Sequence, residues 1–66
     1  MPSTAIEHIS YDEAARELHV KFVGGGAYTY FDVPRSVYAA FRAAQSKGAF
    51  LNNFIKNRYD FQRRAA

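Results

Sequence analysis

The sequence has no cysteine and no tryptophan among its 66 residues. Without cysteine, no disulfide can stabilise this short chain and no Cys₂His₂ zinc site can form. The two histidines alone are a poor set of metal ligands, so we expect neither a metal nor any other cofactor. Because 48% of the residues are hydrophobic and 17% are aromatic, the composition is that of a folded protein. We assign residues 1–66 to a single domain, with an ordered core over about 4–59 and a basic tail over about 60–66.

Long apolar runs are also missing. The longest stretch without a charged residue extends from Phe22 to Phe31 and includes three glycines. A membrane-spanning helix needs about 20 predominantly apolar residues, so none is predicted. The first residues, Met1 to Ala5, lack the basic and apolar regions of a signal peptide. We therefore expect a cytoplasmic monomer that has no membrane partner.

Charge is distributed unevenly between the two halves of the chain. Residues 1–32 have two Lys and Arg against five Asp and Glu, a formal charge of −3, whereas residues 33–66 have seven against one, a formal charge of +6. This asymmetry is typical of a basic half that binds a polyanion. An ordinary solvated surface is the alternative interpretation, since the net charge of the whole chain is only +3.

The first half has the composition of β-strands. Three segments are rich in β-branched and aromatic residues: Ile6 to Tyr11, Glu17 to Val23 and Ala27 to Val33. The middle segment alternates, since Leu18, Val20 and Phe22 fall on one face and polar residues fall on the other. A short polar turn and a run of three glycines separate the segments. The pattern predicts an antiparallel three-stranded meander.

The second half has helical periodicity, and the change occurs at Pro34. Pro34 fits the first turn of a helix, because it lacks the N–H that would be unpaired there. Ser46 is a suitable N-cap for a second helix. We therefore predict an α+β fold of the order β-β-β-α-α, with the two α-helices packed on one face of the three-stranded meander. The predicted core consists of Leu18, Val20, Phe22, Val37, Phe41, Phe50, Leu51, Phe54 and Ile55.

Several short strings in this order resemble one known family. They are Ile9-Ser10-Tyr11-Asp12, then Leu18, Val20 and Phe22, then Tyr28 and Tyr30 before Val33-Pro34, then Val37-Tyr38, Ala44, Ser46 and Gly48, and finally Phe50 with Phe54-Ile55. From about Ser3 to about Tyr59 the chain resembles the KTSC domain, a small domain named for its occurrence at the C-terminus of some lysyl-tRNA synthetases. The family's central Tyr-x-Tyr matches Tyr28 and Tyr30. The synthetase context of the family implies RNA binding.

Tyr28 and Tyr30 lie two residues apart, so they share one face of their strand. An exposed pair could stack on bases, whereas a buried pair would pack against the helices. The loop Gly24–Gly26 leads into a strand, which favours a hairpin over a phosphate-binding loop. A three-residue loop would pair Phe22 with Tyr28 and place both tyrosines on the core face, whereas a two-residue turn would pair Phe22 with Ala27 and turn them away. We favour the core face, because the helices need a wide apolar surface to cover.

The remaining polar clusters have ordinary structural interpretations. His8 and His19 lie on adjacent predicted strands and are interpreted as surface histidines, because no metal-binding partners accompany them. Asp12, Glu13 and Glu17 cluster at a turn, where solvated carboxylates need no catalytic role. No serine has the flanking glycines of a nucleophile elbow. We therefore expect no enzymatic activity.

The basic residues of the second half are the candidate nucleic-acid contacts. They are Arg35, Arg42, Lys47, Lys56, Arg58, Arg63 and Arg64. We predict a small binding module that contacts the phosphates of RNA or another nucleic acid through this basic helical face and the tail that follows it. The alternative is a protein partner that docks on a sheet edge or on the Tyr28/Tyr30 aromatic face. A contiguous basic surface favours the first function, and an exposed tyrosine pair without basic neighbours favours the second.

Overall fold

The computed structural model describes residues 6–64, which form an antiparallel sheet and two helical segments. The strands are β1 (Ile6–Asp12), β2 (Glu17–Phe22), β3 (Ala27–Tyr30) and β4 (Phe61–Arg64), in the spatial order β1-β2-β3-β4. The helices α1 (Arg35–Ala43) and α2 (Lys47–Phe50) follow β3, and α2 continues directly into a π-helical segment, Leu51–Ile55. The α+β class, the meander and the two helices are as predicted, whereas the fourth strand is not. The predicted start of the ordered core at about residue 4 lies outside the described residues.

β2 has the alternation that its sequence predicts. Leu18 and Val20 are buried, whereas Lys21 between Val20 and Phe22 is exposed. We call the side of the sheet that bears Leu18 and Val20 the inner face and the opposite side the outer face. Asp12 closes the turn before β2, because its side chain accepts a hydrogen bond from the Ala15 N–H at 3.2 Å.

Residues 61–64 form β4, so the prediction of a basic tail is wrong over this stretch. β4 pairs with β3 in a register that sets Phe61 opposite Tyr30 and Arg63 opposite Tyr28. Just before it, the Phe31 N–H donates to the Asp60 carbonyl at 2.9 Å. All four residues of β4 are exposed, so the segment has no apolar alternation that would reveal a strand. It is stabilised as a strand by backbone hydrogen bonds to β3, which would otherwise be an open edge.

The helical segments begin where the sequence predicts. Pro34 is the N-cap of α1, one position before the helix proper. Ser46 is the N-cap of α2, and its hydroxyl accepts a hydrogen bond from the Ala49 N–H at 3.2 Å, which confirms the predicted cap. No helix within residues 6–64 has the length and apolarity needed to span a bilayer.

The core lies between the inner face and the helices. Its buried members are Leu18, Val20, Tyr30, Val33, Phe41, Leu51 and Ile55. Three predicted core residues, Phe22, Val37 and Phe50, are half-buried and pack against this cluster.

Phe54 was predicted in the core and is instead 51% exposed. The cause is the π-helical turn, in which the Lys56 N–H donates to the Leu51 carbonyl at 2.8 Å, one residue further back than in an α-helix. This wider turn keeps Leu51 and Ile55 on the buried side and rotates Phe54 away from them. The Phe54 ring packs on the outside of Phe50, with ring centroids 4.9 Å apart.

Candidate functional site

Tyr28 and Tyr30 lie on the inner face, as predicted from the sequence, because they pair with Val20 and Leu18. The register differs from both predicted loops, because Val20 pairs with Tyr28 and Lys21 pairs with Ala27. The connection between β2 and β3 therefore contains four residues, 23–26, and Gly24 takes the left-handed conformation with φ of 72°. A shift of two residues leaves each side chain on the same face, so the predicted face is correct although the pairing is not.

The two tyrosines differ in burial. Tyr30 is only 3% exposed, and Tyr28 is half-buried. Burial, and to a lesser extent the neighbouring Tyr28, raises the pKa of Tyr30 above its ordinary value of 10.0. Tyr30 thus belongs to the core, and Tyr28 presents part of its ring to solvent.

A groove of about 420 Å³ lies between the inner face at β3 and β4 and the second helical segment. We call it the tyrosine groove. Its aromatic lining consists of Phe22, Tyr28, Tyr30 and Phe61, and its polar lining of Asn52, Lys56, Asn57 and Arg63. It exists because the helices cover the β1–β2 side of the inner face more fully than β4, where Phe61 remains 51% exposed.

The aromatic rings of the groove form a connected layer. Tyr28 and Tyr30 are stacked, with centroids 6.2 Å apart and planes inclined by 16°. Phe61 lies 5.5 Å from Tyr28 and 5.7 Å from Tyr30, and Phe22 meets Tyr28 edge-on at 5.2 Å. These distances are typical of favourable ring pairs, and a further planar ring can stack on this layer.

Positive charge lies beside these rings. The guanidinium of Arg63 is 6.0 Å from the Tyr28 ring centroid, and Lys56 lines the groove from the helical side. Among residues 6–64, no acidic side chain lines this groove. The site can therefore stack a planar ring, neutralise an anion next to it and offer the amides of Asn52 and Asn57 as hydrogen-bond partners.

Three of the predicted basic contacts have local structural partners. Arg35 Nε lies 3.5 Å from Glu13 Oε2 in an exposed ion pair. The Arg42 guanidinium lies 5.8 Å from the Tyr38 ring centroid. Lys47 Nζ donates to the Arg42 carbonyl at 3.2 Å, at the C-terminus of α1, where a cation is favoured by the helix dipole.

The other four basic residues are divided among different surfaces. Lys56 and Arg63 line the tyrosine groove together. Arg58 lines one shallow cleft with Val37 and Phe54 and a second one with Lys56 and Asp60. Arg64 is opposite Ala27 and belongs to the outer face. Arg63 and Arg64, which were predicted to continue the basic helical face into a tail, therefore lie on opposite faces of the sheet, because strand alternation separates them.

His8 and His19 both lie on the outer face. His8 is opposite Lys21, whereas His19 is opposite Ser10, so the histidines are diagonal neighbours. His19 Nδ1 lies 3.0 Å from Thr29 Oγ1. No group of side chains within residues 6–64 is suited to hold a metal ion.

Two residues of the site are not predicted by the sequence pattern. Phe61 lies in the segment that lacks apolar alternation, and Lys56 reaches the groove through the π-helical turn. Phe22, by contrast, is marked by the alternation of β2, although its contact with Tyr28 depends on the observed register.

The chain is similar in sequence and in structure to several known proteins. The model of the KTSC domain family matches residues 2–59. A protein of Tsukamurella paurometabola is 42% identical over 57 residues, which are 86% of this chain and 85% of that protein. A lysine–tRNA ligase of Nostoc punctiforme is 37% identical over 59 residues, which are 89% of this chain but only 10% of the ligase. The crystal structure of a KTSC domain protein from Yersinia pestis superposes with a TM-score of 0.89 at 32% identity, covering 98% of this chain and 90% of that one.

Proposed function

Given that this chain belongs to the KTSC domain family, we propose that it is a small non-enzymatic module that binds single-stranded RNA in the tyrosine groove. The observation that carries the proposal is the position of Arg63 beside the Tyr28 ring, with Lys56 lining the same groove. A tyrosine surface without basic neighbours would favour a protein partner. With two cations and no acidic lining residue among residues 6–64, the groove favours an anionic ligand that has planar rings.

Single-stranded nucleic acid has this chemistry. Each base offers a planar ring that can stack on the exposed parts of Tyr28 and Phe61, and such stacking contributes about 1–3 kcal/mol per base. The phosphates on either side of the base fall within reach of Lys56 and Arg63. Bases paired in a duplex have no free ring faces, so the proposal is restricted to single strands.

RNA is preferred to DNA because of the relatives. Among them are lysine–tRNA ligases, which have a tRNA as a substrate by name. The chain spans about a tenth of their length, so their activity as whole proteins is not transferred to it. The proposal also moves the contact from the predicted helical face to the groove, since Lys56 and Arg63 line one cavity with four aromatic rings, whereas Arg35 lies in an ion pair with Glu13.

The test is a titration of the full chain with mixed-sequence single-stranded RNA and DNA at low salt, followed by backbone amide chemical shifts. We expect saturable shifts of residues in the tyrosine groove and a dissociation constant of about 10⁻⁴–10⁻⁶ M, since the groove has few base-reading groups. Tyr28→Leu keeps an apolar side chain but removes the stacking ring, and should weaken binding about fivefold or more. Arg35→Gln is a control, because it changes a side chain outside the groove and should alter the affinity little.

A second candidate function rests on β4. It is the last strand in the sheet, and all four of its residues are exposed, so a partner polypeptide could add a strand to it. If the folded protein shows no shift with either nucleic acid at high oligonucleotide concentration, the RNA proposal is rejected and this alternative takes its place.

A further inference from the structure

The outer face has a row of residues that includes three basic or titratable side chains. Strand pairing sets His8 opposite Lys21, Lys21 opposite Ala27, and Ala27 opposite Arg64. These four residues thus lie in one line across the sheet, and we call them the outer row. No helix of the described chain is packed on this face, which is lined by polar side chains such as Ser10 and His19.

Because Ala27 has a small side chain, the outer row has a shallow depression between Lys21 and Arg64, which we call the seat. Neighbouring strands lie about 4.8 Å apart, so the backbones of Lys21 and Arg64 are separated by about 10 Å with Ala27 between them. Both side chains are long enough to converge on one anion above the Ala27 methyl group. Phosphate oxygens suit this seat, because Arg and Lys side chains donate several charge-assisted hydrogen bonds to them.

Glu7 lies at the β-bulge between Ile6 and His8, at the β1 end of the outer row, and the other acidic groups of this face are remote from the seat. Glu17 is four residues from Lys21 along β2, a distance of about 13 Å at the rise of a strand. Asp12 is opposite Glu17, at the same far end of the sheet. At 0.1 M salt the Debye length is about 10 Å, so the carboxylates of Glu17 and Asp12 weaken the attraction for an anion only slightly.

The outer row lies next to the tyrosine groove, and this position indicates which anion binds there. Arg63 and Arg64 are consecutive in β4 and lie on opposite faces of the sheet. Because β4 is the last strand of the sheet, a chain that leaves the groove beside Arg63 can pass over this strand and reach Arg64 directly. Cations therefore line both sides of one edge.

We propose that a single strand of RNA, with bases in the tyrosine groove, crosses over β4 and sets its next phosphates on the outer row between Lys21 and Arg64. This inference rests on the proposed function and extends it, because it assigns a path and a footprint to the ligand. Four cations contact phosphates along the path: Lys56, Arg63, Arg64 and Lys21. The logarithm of the affinity should then fall with the logarithm of salt concentration with a slope of about −3, at about −0.7 per contact.

The experiment compares two lengths of oligouridylate, a dinucleotide that can occupy only the groove and an oligonucleotide of about eight residues that can also reach the outer row. The double variant Lys21→Gln/Arg64→Gln should reduce the salt slope of the longer ligand by about 1.4 and leave the dinucleotide unchanged. The matched control is Arg35→Gln/Arg42→Gln, which removes the same number of charges from α1. A longer strand offers more positions at which the protein can bind, so each variant is compared with wild type at the same ligand length. Amide spectra verify that each variant is folded.

The outcomes separate the two proposals. A reduced slope with the longer ligand, seen for the Lys21/Arg64 pair and not for the control pair, supports the path over β4. Equal slopes for wild type and the Lys21/Arg64 variant, with shifts still confined to the groove, overturn the path and leave groove binding intact. A larger effect of the Arg35/Arg42 pair also overturns it and returns the contact to the helical face. Absence of binding by either ligand rejects groove binding and the path together.

Discussion

The ring of Tyr11 on β1 is stacked on the ring of Tyr38 on α1, with centroids 5.0 Å apart and planes inclined by 15°. The hydroxyl of the same Tyr11 donates a hydrogen bond to the carbonyl of the buried residue Val33, in the segment that leads into α1. One side chain thus joins the first strand both to the first helix and to the connection before it.

The first prediction concerns this hydroxyl. Tyr11→Phe keeps the ring stack and removes the donor, which leaves the Val33 carbonyl without that partner. We expect a loss of about 1 kcal/mol in the free energy of unfolding. Tyr11→Leu, which also removes the stack, should cost about 1 kcal/mol more. Urea denaturation followed by circular dichroism measures both, and equal stabilities of wild type and Tyr11→Phe would contradict the role of the hydrogen bond.

The second prediction separates Phe54 from the core. Because Phe54 is 51% exposed and packs only at the margin, Phe54→Ala should cost at most about 1.5 kcal/mol. Phe41 is fully buried, and Phe41→Ala should cost about 3–5 kcal/mol. Thermal melts of the two variants compare them directly. A larger destabilisation from Phe54→Ala than from Phe41→Ala would mean that the second helical segment is wound as a regular α-helix.

The third prediction concerns alkaline pH. The pKa of Tyr30 is raised in the folded protein, so the folded state favours the neutral phenol more than the unfolded state does. The contribution to stability is fully present below the ordinary value of 10.0 and is lost as pH rises from there through the raised pKa. Wild type should therefore lose stability more steeply above about pH 10 than Tyr30→Phe, which has no ionisable group. Parallel pH profiles of unfolding free energy for the two proteins would show that Tyr30 is solvated like a free tyrosine.

The fourth prediction tests the turn between β2 and β3. Gly24 has φ of 72°, and an added Cβ there would meet no atom within 4 Å, so Gly24→Ala is opposed by backbone strain alone. We expect a cost of about 1–2 kcal/mol, because an L-residue in the left-handed region is strained by about that amount. Gly25→Ala is a suitable control, since its Cβ would lie 3.6 Å from the Phe22 Cβ, an ordinary contact, and its φ is not left-handed. Equal effects of the two substitutions in urea denaturation would contradict this explanation.

Several features of the fold follow from local patterns in the sequence. The alternation around Leu18 and Val20 predicts β2 and its buried face, and the side chain of Ser46 predicts the cap of α2. Both depend on residues that are close together in the chain, where periodicity and capping act directly.

The features that local patterns do not predict depend on strand pairing or on the winding of one helical turn. β4 forms because β3 has unpaired backbone groups, and nothing within Phe61–Arg64 specifies this. In the π-helical turn the Lys56 N–H donates to the Leu51 carbonyl, and this wider winding moves Phe54 out of the core. The candidate site depends on both features, since β4 contributes Phe61 and Arg63 and the π-helical turn positions Lys56.

The pairing of β3 with β4 also bears on how the molecule assembles. The β1–β2 and β2–β3 hairpins close short loops, whereas joining Tyr30 to Phe61 closes a loop that contains both helices. Long loops cost more entropy to close, and contacts distant in sequence form later in folding. We therefore expect β4 to dock after the rest of the sheet and its amides to exchange with solvent sooner than those of β2. A ligand that holds β4 against the second helical segment would slow that exchange, so binding and completion of the sheet would be one coupled event.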